Sequence, residues 1–202
     1  MTKPKTSKTF GEYVKSEIGD KIKSRIGKVE QLDLVFDVYK KGSRKRETRE
    51  NRSKEGGIRI SIKDNTPIYR NFAKVLKVDQ NKTELFELIA QSLVTEFNNH
   101  PKALVVTSKE NVLSNRDISL HALMPCHKEE ADDRMFLHAL EQSRNGFKKL
   151  VIVTVDTDVV VIALYCYWDL DLEELWIEFG TGRNRRWLPI HHFARMLGEE
   201  KC

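Results

Sequence analysis

Helical periods alternate with β-branched runs along this chain, and that alternation constrains its fold more than any other feature. The segment LVIVTV (150–155) is an unbroken β-branched run of the kind buried in a parallel sheet. It follows HKEEADDRMFLHALEQSRNGFKKL, where Ala131, Met135, His138, Ala139 and Gln142 recur on one helical face and Gly146 stands where the helix should stop. LDLVFDVY (32–39) reads as a second buried strand ending near Asp37, and ALVVTSK (103–109) as a third. FGEYVKSEIGDKIKSRI (10–26) has a helical period, as does NKTELFELIAQSLVTEFNN, whose Asn81 and Glu84 predict a capping box. GIRISI (57–62) alternates as a strand or sheet edge does. VVVIALYCYW (159–168) fits a strand by its valines and a buried helix by its length. LWIEFGTGRNRRWLPIHHFARML reads as a strand, a turn at Gly180 and Gly182, a returning strand and a short helix from about Ile190. The expected class is α/β, a mainly parallel central sheet flanked by helices, in a single domain over residues 1–202.

Size and composition fit that reading: 202 residues, 40% hydrophobic and 32% charged, suit a folded domain and not a disordered chain. The longest apolar run, 159–168, has ten residues, about half of the roughly 20 a membrane-crossing helix needs, so no membrane partner is expected. No apolar leader follows Met1, and an intracellular address is expected, the nucleus among the candidates. Cys126, Cys166 and Cys202 are an odd number at wide spacing, unsuited to a disulfide framework. Between Lys40 and Arg59 stand nine Lys and Arg against three Glu, a local +6 in a chain whose net charge is +5. A basic stretch on a balanced chain points to a polyanion, with a solvated charged loop as the plain alternative.

Carboxylates fall at comparable places in this scheme. Asp37 ends one strand, Asp156 and Asp158 follow another, and Glu130, Asp132 and Asp133 open a helix. Each has an ordinary explanation: acids in a first helical turn stabilise it by roughly 0.3 to 1 kcal/mol, and an Asp after a strand is a common cap. Taken together at one sheet edge they would repel, a pair at about 4 Å costing about 4 kcal/mol at an effective dielectric near 20, so such a cluster needs cations or protons. Oxygen donors favour hard ions, Mg²⁺ or Mn²⁺. With the basic segment beside them, these are the parts of a metal-dependent phosphodiesterase.

EEADDRMFLHALEQSRNGFKKLVIVTVDTDVVVIA resembles the middle of the 5′-nuclease superfamily, which includes flap endonucleases, the 5′-nuclease domains of bacterial DNA polymerase I and, more distantly, PIN-domain nucleases. There a helix opening with E-A-D-D or E-A-E precedes a strand ending in D-x-D. LVFDVYKKGSRKRETRENR is similar to the strand-borne V-F-D and the basic helical arch that follows it. The chain also resembles multicopy, largely uncharacterised animal proteins carrying this domain, with NKTELF, VDTDVVV and FGTG in common. The overlap covers about a third of the chain, 32–52 and 126–163.

The resemblance implies a PIN-like or 5′-nuclease-like fold and hydrolysis of nucleic-acid phosphodiesters with two Mg²⁺ or Mn²⁺ ions. It assigns Asp37, Glu130, Asp132, Asp133, Asp156 and Asp158 as the catalytic and metal residues. It gives the segment 40–59, with Lys40, Lys41, Arg44, Lys45, Arg46, Arg49 and Arg52, the part of a nucleic-acid clamp, with DNA ahead of RNA as partner. The superfamily begins with an earlier strand ending in Asp and closes with a helix-two-turn-helix preceded by another ligand Asp. Neither has a counterpart between Met1 and Cys202, so the expectation is a chain truncated at both ends or a copy that has lost turnover. The alternative function is a catalytically inactive module that keeps the fold and binds nucleic acid or protein. A zinc site from Cys126-His127 with His191-His192 lacks ligand-pair spacing. His138 reads as a packed histidine. Arg183, Arg185 and Arg186 read as a phosphate surface or a solvated hairpin tip, and Trp168, Trp176 and Trp187 as core or rim residues with base stacking as the alternative.

Overall fold

The computed structural model of the chain describes residues 3–40 and 56–199. The residues group into two compact units, Met1–Glu129 and Glu130–Cys202. The chain is mixed α/β, with one small three-stranded sheet in each unit.

The first unit opens with Phe10–Glu12 (α1), a π-helical stretch Tyr13–Ile18, and Gly19–Ile26 (α2), so the helical period over 10–26 is realised. Thr9 caps it, its side-chain oxygen accepting from the Glu12 N–H. The period brings Phe10, Tyr13, Val14, Ile22 and Ile26 into the core. Gln31–Leu34 (β1) pairs in parallel with Ala103–Ser108 (β2), and β2 pairs antiparallel with Asn111–Ser114 (β3). The crossover from β1 to β2 carries Phe72–Val75 (α3) and Asp79–Glu96 (α4). Helix α4 faces the core with Leu85, Ile89, Ala90 and Leu93, and Phe97 at its end is buried with them.

Two expectations fail here for one physical reason. Asn81 and Glu84 do not form a capping box, because the helix already starts at Asp79. Residues 58–62, expected as a strand or edge, pair with no strand among the described residues. Instead the two helix residues serve the extended segment. The Asn81 carboxamide oxygen accepts from Ile60 N at 3.2 Å and Arg59 Nη1 at 2.8 Å. Its Nδ2 donates to Ile58 O at 2.7 Å and Val75 O at 2.8 Å. Glu84 accepts from Ile62 N at 2.8 Å and ion-pairs with Arg59. Side chains of α4 thus satisfy backbone groups that a neighbouring strand would otherwise take.

The second unit runs Ala131–Arg144 (α5), Lys149–Thr154 (β4), Thr157–Cys166 (α6), Glu174–Phe179 (β5), Arg186–Pro189 (β6) and Ile190–Leu197 (α7). Gly146, at φ +89, ends α5 as expected. Its N–H donates to Ser143 O and Phe147 N donates to Gln142 O, the paired bonds of a Schellman stop. β4 and β5 pair in parallel, Lys149 opposite Glu174 through Thr154 opposite Phe179, and β5 pairs antiparallel with β6. That parallel pair resolves the ambiguous run at 159–168: its strands need a crossover, and the valine-rich segment supplies it as helix α6. Ile152, Leu175 and Ile177 point into the core with Phe136, Ala139, Val159 and Ile190. Val151 and Val153, on the other face of β4, are 46% and 47% exposed.

In place of one mainly parallel sheet there are two mixed sheets, each with one parallel and one antiparallel pairing. The connections decide this. Only Lys109 and Glu110 separate β2 from β3, and six residues separate β5 from β6. Links that short can join only antiparallel strands. Among the described residues, no helix is long and apolar enough to cross a membrane.

Replacing Asn81 by Ala leaves the half-buried Ile60 N–H and two carbonyls without this partner, with an expected loss on the order of 2 kcal/mol read as a lower urea midpoint. Asn81→Asp, which keeps the acceptor oxygen but turns a second oxygen toward the Ile58 and Val75 carbonyls in a buried site, should lose at least as much. The Glu17 carboxylate holds the preceding segment, accepting from Lys5 N at 2.9 Å and Ser7 Oγ at 2.7 Å, with Thr6 N and Ser7 N also donating. Burial pushes this carboxyl up, but the Ser7 hydroxyl and the three N–H groups outweigh it and hold it below the ordinary glutamate value. A depressed folded value means the latch is intact above the unfolded pKa and lost as pH falls through the folded one. Hydrogen exchange at the Lys5–Ser7 amides should therefore be slow at neutral pH, relative to Glu17→Gln, and the difference should vanish in acid below the usual carboxylate range.

Candidate functional site

Asp37 lies three residues beyond β1, which ends at Leu34 and not near Asp37 as the sequence suggests. The ladder stops because Thr107 of β2, fully buried, turns its hydroxyl to the chain: Phe36 N donates to Thr107 Oγ1 at 2.8 Å. Phe36 then stacks on Phe86 of α4, centroids 4.3 Å apart and nearly parallel. Val38 N donates to Glu129 O at 2.8 Å, and Tyr39 Oη donates to Asp37 Oδ2 at 3.1 Å. Asp37 is thereby held on the wall of a cleft of about 300 Å³, with Phe36, Tyr39, Phe86, Lys109 and Glu110 around it. Lys82 Nζ sits 4.1 Å from the centroid of the Tyr39 ring. Lys109, at φ +53, occupies the turn between β2 and β3 and ion-pairs with Glu87 at 2.6 Å.

Lys40, expected to contact phosphate, pairs with Glu110 at 2.7 Å. The Lys40 ammonium, by hydrogen bond and charge, holds the Glu110 carboxyl below its usual range, and His127 at 3.5 Å adds to this. Much of the Lys40 charge is thus used within the unit. Lys41, Arg44, Lys45, Arg46, Arg49 and Arg52 lie outside the described residues.

The other five acids belong to the second unit. Glu130 is the N-cap residue of α5 by backbone conformation, and its side chain makes no capping bond. Asp132 and Asp133 occupy the first turn, where the helix dipole favours them. Asp156 follows β4 and caps α6: its Oδ1 accepts from Asp158 N at 3.0 Å, while its own N–H donates to Thr154 Oγ1 at 3.0 Å. Both Asp156 and Asp158 are exposed. The D-x-D acids therefore stand where a strand of a parallel pair ends and a helix begins, the usual ligand edge of an open α/β sheet. The charge of Asp133 is felt elsewhere, at Cys166 on the last turn of α6. Burial, then Asp169, then Asp133 push that thiol up. Cys166 is about 12 Å along the helix from Asp158 at about 1.5 Å per residue.

In donor chemistry these carboxylates suit a hard dication. Among the described residues, no group of three or more His, Cys, Asp or Glu side chains is arranged to hold a metal ion. The same holds for Cys126, His127, His191 and His192: among the described residues none belongs to a group of three or more such side chains placed to hold a metal ion.

Two features escape the sequence reading. Arg134, beside the E-A-D-D acids, is fully buried, and with His138 and Gln142 it forms a buried polar stripe along α5 at intervals of four residues. The packed reading of His138 thus agrees with its 3% exposure; Arg134 lies one turn before it on the same stripe, and only its residue type argues against burial. A second cleft, of about 390 Å³, is lined by Glu173, Glu174, Trp176, His191, His192 and Arg195. Its Glu174 carboxyl is held below the usual range first by Lys149, 2.6 Å away, and then by Trp176 Nε1, which donates at 2.9 Å. Trp168 and Trp187 are 40% and 53% exposed, so they are rim residues.

The chain matches no protein-family model, no curated protein and no solved structure.

Thr107→Val, nearly isosteric, removes the acceptor for Phe36 N. We expect a loss of about 1 kcal/mol in stability and faster hydrogen exchange at the Phe36 amide, with the β1–β2 ladder amides unchanged.

Proposed function

We propose that this chain is a PIN-like, 5′-nuclease-like domain that hydrolyses nucleic-acid phosphodiesters with the aid of Mg²⁺ or Mn²⁺. One observation carries the reading: Asp156 and Asp158 stand exposed just past the C-terminal end of a strand in a parallel pair, the first as N-cap and the second on the first turn of the helix that follows. The E-A-D-D acids at the start of α5 and Asp37 just past β1 support it by their places in the chain. On this reading Asp37, Glu130, Asp132, Asp133, Asp156 and Asp158 are the ligands. Ions bound there would supply charge stabilisation on the phosphoryl oxygens and acidify a water at neutral pH. The chain's own acids hold and orient, and the basic segment from Lys40 through Arg52 positions the polyanion by its phosphates, so binding weakens steeply with salt.

The reading predicts that the full chain cuts a 5′-flap or single-stranded oligonucleotide with Mn²⁺, and that Asp156→Ala lowers the rate at least a hundredfold, a loss of about 2.7 kcal/mol in transition-state stabilisation. Equal rates for the two proteins, measured on a denaturing gel, would remove the assignment. A second reading, a non-catalytic module binding nucleic acid or protein, is favoured by the absence of any three-ligand group among the described residues. Isothermal titration with Mn²⁺ separates the two, since only the nuclease takes up the ion in a manner that Asp156→Ala abolishes.

A further inference from the structure

Beside the D-x-D acids lies a second element that the nuclease reading leaves without a role. From residue 179 to residue 198 the chain carries four arginines and no acid. Three of them, Arg183, Arg185 and Arg186, fall in the turn between β5 and β6 or at its end, and all three are exposed. The turn is built on glycine. Gly180, at φ +85, could carry no side chain, because a Cβ there would come within 2.7 Å of Asn184 O, and Gly182 has φ +57. Gly180 N donates to Thr154 O at 2.9 Å, so the turn is anchored to the end of β4, two residues before Asp156.

The side chains on this turn are sorted by face. Arg186 lies over the Phe179 ring at 5.1 Å. Arg185 Nε reaches the buried Glu178 carboxylate at 3.2 Å, and Trp187 stands directly opposite Glu178 in the β5–β6 register, so Arg185 and Trp187 share one face. Trp187 meets Trp176 edge to face, centroids 6.5 Å apart, a contact that covers at most one face of its ring. At 53% exposure the indole is presented to solvent. Arg183, at the tip, makes no side-chain hydrogen bond or ion pair among the described residues.

We propose that the turn at 181–187 is a contact for single-stranded nucleic acid, with Arg183 on a phosphate, Arg185 fixed by its ion pair with Glu178 as the support of the turn, and Trp187 stacked on an unpaired base. Guanidinium groups match phosphate oxygens in pairs, and an exposed indole takes any base face, a combination suited to single strands. An acidic peptide would use the arginines and leave the indole idle. The proposal rests on the nuclease reading for its substrate class and names the surface that leads the strand toward Asp156.

Binding is measured with the full chain in EDTA, where no cleavage occurs, by fluorescence anisotropy of a labelled single-stranded DNA, an RNA of the same sequence, and the corresponding blunt duplex. Trp187→Ala should weaken single-strand binding about tenfold and leave the duplex unchanged, while Trp187→Phe keeps most of the affinity. Arg183→Ala should reduce the salt slope by about 0.7 on single strands, and Arg183→Lys should restore it. The ratio between the DNA and RNA arms identifies the preferred sugar. Wild-type affinity in both alanine variants overturns the proposal. So does equal loss on duplex and single strand, or displacement of the DNA by a poly-glutamate peptide that binds through Arg183 alone. If Mn²⁺-dependent cleavage persists while the variants bind normally, this contact is wrong and the nuclease reading stands. If the variants lose binding in a chain that never cleaves, the contact stands and the nuclease reading falls.

Discussion

A parallel pair of strands cannot be closed by a hairpin, and each unit of this protein is organised around one such pair. Joining β1 to β2, or β4 to β5, takes a crossover that leaves from one end of the sheet and returns to the other. The crossovers supply the helices that cover the sheets, and they fix where the chain's chemistry collects. Both strands of a parallel pair end on the same edge, so whatever follows β4 and β5 becomes neighbours. The acids after β4 and the arginine turn after β5 are far apart in sequence, yet the Gly180–Thr154 hydrogen bond ties their anchor points together. Their proximity follows from strand direction, before any side chain is considered.

Within the first unit, polar side chains do work that longer strands would do elsewhere. Asn81 and Glu84 hold the extended segment 58–62, and Thr107 takes over from the β1 ladder at Phe36. Asn115 is of the same kind. Buried at 7% exposure, it accepts from Leu104 N at 2.7 Å and donates to Phe97 O at 2.8 Å, joining the end of α4 to the sheet. Each of these groups stabilises only while every partner stays in place, since a buried donor or acceptor left alone costs about 1 to 3 kcal/mol. Their geometry is correspondingly specific.

The elements most legible in the sequence were those whose periodicity and stop signals agree. Helix α5 with its Gly146 stop, strand β4, and the strand, turn, strand and helix of 174–197 all lie where the pattern puts them. What stayed hidden involves partners distant along the chain. Asn81 has the right residue type and spacing for a cap, and only the segment at 58–62, more than 20 positions away, reveals its other use. Strand β1 looks two or three residues longer than it is because Val35, Phe36 and Val38 are apolar, though they pack beyond the ladder. The acids were legible as positions, each at a strand end or a helix start, but sequence spacing does not carry the distances between their oxygens. Arg134 shows the limit most plainly, for no local rule distinguishes a buried arginine from an exposed one.

Strand β4 is an edge of its sheet among the described residues, with Val151 and Val153 open on one face and no charge between Lys149 and Asp156. Such an edge is a template for intermolecular cross-β growth unless charges at its ends repel an incoming copy. Lys148 and Lys149, paired with Asp171 and Glu174, stand at one end and Asp156 and Asp158 at the other, an arrangement that opposes a copy laid parallel and in register and attracts an antiparallel one. Neutralising the two aspartates removes part of the charge that opposes parallel, in-register stacking of a second copy on this edge, apart from any effect on what they ligate.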